Sequence, residues 1–123
     1  MPLNIAINGT TWKVELYENK AVRNLMKSLP QTINMSSWGD EFYGRLQYPV
    51  AYGDDQQRVV FEIGEVALWP AGNSLCIFFG PTPASQGNEP RMASPGVPLG
   101  KISGDVREFL SRLPASIKAA LSA

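Results

Sequence analysis

The sequence predicts a mainly β, barrel-like domain with one or two helices. Three observations lead there. An Asn-Gly pair separates two alternating apolar runs near the start, three short apolar runs follow one another between residues 59 and 79, and helical spacing is clean only over Lys20–Leu29. A chain of 123 residues supports one core, so residues 1–123 are read as a single domain. With 44% hydrophobic and 18% charged residues, the composition is that of a globular chain rather than a disordered one.

The opening hairpin pairs Leu3, Ile5 and Ile7 with Trp12, Val14 and Leu16 across Asn8-Gly9. Both central turn positions need φ > 0, which Asn and Gly tolerate. Over Lys20–Leu29 the period changes: Ala21, Val22, Leu25, Met26 and Leu29 share one helical face, with Asn19 as N-cap and Pro30 as the stop. Thr32–Ser37 and a run marked by Phe42, Leu46 and Tyr48 read as strands, followed by an exposed connection at residues 53–57. Val59–Ile63, Val66–Trp69 and Leu75–Phe79 read as core strands. Residues 81–98 carry five prolines and read as an excursion too turn-rich for a central strand. Val97–Ile102 returns as a strand, and Asp105 is placed to cap a short helix carrying Val106, Phe109 and Leu110. After Pro114, alanine content favours a helix, while a closing strand around Ile117–Leu121 competes with it.

Composition also narrows the chemistry. With no histidine, Ser-His-Asp and Cys-His catalysis and imidazole metal ligands are excluded, and no metal or cofactor is expected. The single Cys76 lies in the apolar run SLCIFFG and is expected to be buried. One thiol cannot form an intramolecular disulfide, which points to a reducing, cytoplasmic location. The N-terminus has no signal-peptide pattern, and no apolar run reaches the ~20 residues that span a bilayer, so no membrane association is expected. Eleven basic and eleven acidic residues cancel, and without a basic stripe no nucleic-acid partner is expected.

Longer stretches carry a family likeness. Trp38–Val50 (WGDEFYGRLQYPV), Glu62–Pro83 (EIGEVALWPAGNSLCIFFGPTP), Glu89-Pro90-Arg91 and Leu99–Asp105 (LGKISGD) resemble the small cyclophilin-like proteins of the Thermotoga type, a family without an established reaction. The resemblance runs from the first hairpin to about Leu110. It implies a closed, mostly antiparallel β-barrel of about eight strands with one or two flanking helices, Lys20–Leu29 lying across one opening. Cyclophilins proper are similar more distantly, through Leu16–Met26 and Leu99–Gly104. Their catalytic His-Arg and the following Phe-Met-x-Gln-Gly-Gly-Asp are not matched: Gly44-Arg45-Leu46-Gln47 offers an arginine alone.

These residues define two functional expectations. The leading one is a barrel that binds a peptide or small ligand at its mouth, in a cavity walled by some of Trp38, Tyr43, Trp69 and Phe79 with Arg91 or Arg45 at the rim. At barrel strand positions the same aromatics also serve as core, so both roles stay open. The alternative is a weak peptidyl-prolyl isomerase with Arg45 as its one catalytic group. A guanidinium donating to the pyramidalised nitrogen could lower the ~18–20 kcal/mol barrier. The carboxylates are read as structural: Asp40 and Glu41 adjoin in sequence, and strand neighbours point to opposite faces. Glu89 and Arg91 are read first as loop solubility and turn chemistry, with an ion pair that fixes a loop over the barrel mouth as the competing role.

Overall fold

The computed structural model describes residues 2–123. The chain forms β1 (Leu3–Ile7), β2 (Thr10–Leu16), α1 (Lys20–Lys27), β3 (Gln31–Ser37), β4 (Glu41–Arg45), β5 (Arg58–Val60), β6 (Glu65–Trp69), β7 (Ser74–Phe78), β8 (Arg91–Ile102), α2 (Arg107–Ser111) and β9 (Ser116–Ser122). Around the barrel the order is β2-β1-β9-β3-β4-β7-β6-β8, and β8 pairs back onto β2 to close it. Every pairing is antiparallel, and β5 attaches outside the barrel, to β8 alone. Closure leaves the eight barrel strands without a free edge.

Alternation decides which side chains fill the barrel. Leu3, Ile5 and Ile7 of β1, Phe42 of β4, Leu75 and Ile77 of β7, and Ile117, Ala119 and Leu121 of β9 meet in one buried core. The hairpin turn is as the sequence requires, with Asn8 at φ 50° and Gly9 at φ 80°. Asn19 caps α1, its side chain accepting from the Val22 amide at 2.9 Å while its amide donates to the Pro98 carbonyl at 2.8 Å. Ala21, Val22 and Leu25 of α1 and Leu110 of α2 enter the interior core. The two helices follow the C-terminal ends of β2 and β8, which are antiparallel neighbours, so they cover opposite ends of the barrel.

Several expectations are corrected. The Pro-rich stretch is half strand: β8 begins at Arg91 and runs through Pro95 and Pro98. Pro95 lies within the irregular β5–β8 register and Pro98 adjoins a register shift against β6, where a missing N–H leaves the ladder intact. Residues 59–63 are not a core strand; β5 is three residues long and mostly exposed. Helix α1 ends at Lys27, two residues before Leu29. The tail is the closing strand, β9, held between β1 and β3. The Asp105 carboxylate accepts from the Arg107 amide at 3.3 Å, but the cap position of α2 is Val106.

Candidate functional site

The same alternation turns a second set of side chains outward. Glu41, Tyr43 and Arg45 of β4, Cys76 and Phe78 of β7, and Ala67 and Trp69 of β6 lie on the outer face of one wall. Registers Glu41 opposite Phe78, Tyr43 opposite Cys76, and Cys76 opposite Ala67 set them in rows. The start of β8 and Phe61 then cover this wall, and the segment after β7 packs against the Gly39-Asp40 turn beside it. Phe61, Ala67, Cys76, Phe78 and Met92, with Trp69 against them, make a second apolar cluster outside the barrel, in which Phe61 and Phe78 stack at 4.7 Å.

Between wall and cover lies a cavity of about 270 Å³, lined by Trp38, Glu41, Tyr43, Trp69, Met92 and Ala93. Glu41 and Met92 are buried at its base, Trp38 and Trp69 are half-buried, and Tyr43 and Ala93 reach solvent. Local hydrogen bonds fix the walls. The Trp38 amide donates to the Glu41 carbonyl at 2.8 Å across a turn in which Gly39 has φ 60°. A Cβ at Gly39 would lie 2.8 Å from Pro83 Cδ and 2.9 Å from Thr82 Cα, so only glycine lets the cover pack this close. Asp40 N–H donates to the Pro81 carbonyl, and Phe79 N–H to the Asp40 carbonyl, both at 2.9 Å. Trp69 Nε1–H donates to Ser94 Oγ at 2.8 Å.

The cover has its own latch. Glu89 accepts from the Gln86 and Gly87 amides and from Arg91 Nε at 3.0 Å, which together hold its carboxyl down at about 2. Thr82 Oγ1 donates to the Arg91 carbonyl and Ser85 Oγ to the Glu89 carbonyl, each at 2.5 Å.

Glu41 dominates the electrostatics of the cavity. It is 3% exposed, and its Oε1 has no hydrogen-bond partner. Burial pushes the carboxyl up to about 7, with the Cys76 thiol pulling weakly the other way through a hydrogen bond. Among the described residues, no Lys or Arg lines the cavity. Burial likewise raises the Cys76 thiol well above its ordinary range, and the Glu41 carboxylate adds to the rise. A buried carboxyl left short of a partner costs stability that the fold does not recover locally.

A second buried carboxylate has a different character. Burial alone would raise Glu65, yet bidentate Arg58 at 2.6 and 2.9 Å, the Glu62 amide and the Tyr17 hydroxyl hold it below its usual range. Burial and that bond to Glu65 push Tyr17 up to about 12. This cluster pins β5 to the barrel with its hydrogen bonds satisfied.

Of the residues singled out from sequence, Trp38, Tyr43 and Trp69 come together in the cavity. Phe79 does not join them; it points into the barrel core and stacks on Phe42 at 5.6 Å. Arg91 is paired with Glu89, and Arg45 is exposed opposite Ser74; neither lines the cavity. The cavity is also not at the barrel mouth, because core side chains fill the interior and a helix covers each end. Met92 and Ala93 line the cavity without a signal in the sequence, and Glu41, whose sequence context reads as structural, lines it too. The pattern that reveals Glu41 is its i, i+2 spacing from Tyr43, which sets both on one face of a strand beginning at Glu41.

A family model described as cyclophilin-like matches residues 1–118. Among solved structures, the solution structure of the hypothetical protein AF2241 from Archaeoglobus fulgidus is 30% identical and superposes with a TM-score of 0.80, the match covering 99% of this chain and 93% of that one. No curated protein matches the chain.

Proposed function

This chain belongs to the cyclophilin-like family, and we propose that it binds a small ligand, or one side chain of a peptide, in the outer-face cavity beside Glu41. The observation that carries this reading is the buried Glu41 carboxyl, its Oε1 without a partner, in the lining of an otherwise apolar, aromatic-walled cavity. A few placed polar groups within apolar walls are the usual makeup of a small-molecule site. The volume of about 270 Å³ suits a fragment-sized group rather than a long peptide. A chemically mixed fragment set, titrated into the isotope-labelled chain, tests the reading at the indole N–H signals. Trp38 and Trp69 should move together while Trp12, packed on Phe109 at the α2 end, stays still. Binding that moves Trp12 alone, or no binding across the set, would reject it.

The isomerase alternative shares the apolar cavity but needs a guanidinium held at it. Arg45 has a solvent-facing position two residues along β4 from Tyr43, and positioning errors of ~1 Å can cost ~100-fold. We expect no acceleration of cis-to-trans conversion in a proline tetrapeptide, with wild type and Arg45→Ala alike. Catalysis abolished by Arg45→Ala would favour the isomerase instead.

A further inference from the structure

Resting on the binding reading above, we infer that the cavity takes a protonated alkylamine that keeps one N–H, such as a dimethylated ammonium group. Four features of the cavity point to this class. Its ionisable lining groups are one carboxyl, Glu41, and one phenol, Tyr43; no lining residue is cationic. Trp38, Tyr43 and Trp69 are three of its six lining residues, and aromatic rings attract a cation over their faces, more strongly once it is desolvated. Glu41 Oε1 is an acceptor without a donor. Met92 and Ala93 complete the lining with apolar surface suited to methyl or methylene groups.

The donor count then selects among ammonium types. A primary ammonium carries three N–H donors, and the lining offers few acceptors for them, the Glu41 carboxyl at the buried side and the Tyr43 hydroxyl at the exposed side. A quaternary ammonium fits the aromatic wall but brings the Glu41 carboxyl no donor. A tertiary ammonium supplies one N–H for that carboxyl and places its alkyl groups against the rings. Entry of the cation also favours the charged form of Glu41. Around Glu41 stand Phe78, its register partner on β7, Cys76, which hydrogen-bonds its carboxyl, and, in the same cavity lining, Trp38, Tyr43, Trp69 and Met92. None of these supplies a positive charge that would compete.

Calorimetric titration of the full chain at pH 8 tests the inference with three probes: N,N-dimethylbutylamine, N,N,N-trimethylbutylammonium and the neutral N,N-dimethylbutanamide. The tertiary amine should bind about tenfold more tightly than the amide and several-fold more tightly than the quaternary ion. Glu41→Gln should remove about tenfold from the tertiary amine and leave the amide nearly unchanged. Amide binding equal to amine binding, or amine binding indifferent to Glu41→Gln, would overturn the ligand class while leaving the cavity a binding site. Failure of all three probes to bind the wild type would remove the class and weigh against the site itself. Should Glu41→Gln not fold, Tyr43→Leu on the solvent side serves instead: both cations should weaken, and unchanged affinity would overturn the inference.

Discussion

At Glu41 the folded chain holds a proton that the unfolded chain gives up at a lower pH. The carboxyl titrates at about 7 when folded against an ordinary 4.5, so between those values the native state binds more protons than the unfolded one. Stability therefore falls as pH rises from about 4.5 to 7 and levels off above, by about 3 kcal/mol in total. The window is unusually clear, because the chain has no histidine to titrate within it. Urea unfolding at pH 5 and pH 8 should show this loss for the wild type, and Glu41→Gln should flatten it. A wild-type curve already flat would mean the carboxyl is hydrated. Cys76 offers a second check at the same scale: 1% exposed and with its thiol form favoured, it should react with a thiol reagent only as the chain unfolds. Rapid labelling of the native protein would contradict its burial. These two neighbours differ in legibility. Cys76 sits in an unbroken apolar run, so its burial could be read directly, whereas Glu41 follows Trp38-Gly39-Asp40 and passes for one more polar turn residue. Only the onset of β4 at Glu41 turns its side chain to the outer wall.

Elements whose signals are local could be read from sequence, and those decided by partners could not. Asn8-Gly9 and the Asn19 cap specify their conformations within a few residues, and both formed. Strand β9 is the contrary case. Ile117, Ala119 and Leu121 satisfy a period of two, alanines favour helix, and the choice is made by β1 and β3, each offering hydrogen bonds along one side. In β8 the prolines mislead because their tolerance depends on register irregularities that only pairing creates. The turn at Gly39 joins local and tertiary constraints and gives an element-scale prediction. Gly39→Ala must accept φ 60° and a Cβ against Thr82 and Pro83, so it should lose about 2–4 kcal/mol of stability. It should also shift the Trp38 indole signal, since the cover rests on that turn. A variant with wild-type stability and an unmoved Trp38 would show the cover to be loosely held. Asn19→Ala should cost about 1 kcal/mol in the same assay, from the lost cap.

For the whole molecule, closing the barrel decides where a ligand can go. Eight strands of this size leave an interior that side chains fill, and α1 and α2 cover the two ends. The aromatics expected at the mouth lie elsewhere, Trp38, Tyr43 and Trp69 on the outer face and Phe79 in the core. A strand presents two faces, and Trp38, Tyr43 and Trp69 meet on the outer one, where Met92 and Ala93 at the start of β8 complete the cavity. No helix of the described residues is long and apolar enough to cross a membrane. In the proposed function the outer cavity holds a ligand through the Glu41 carboxyl. The most direct measurement is a carbon NMR titration of that carboxyl, with and without N,N-dimethylbutylamine. The free protein should give a midpoint near 7, and the bound cation, which favours the carboxylate, should lower it. A midpoint in the ordinary carboxylate range that the amine leaves unmoved would contradict the account.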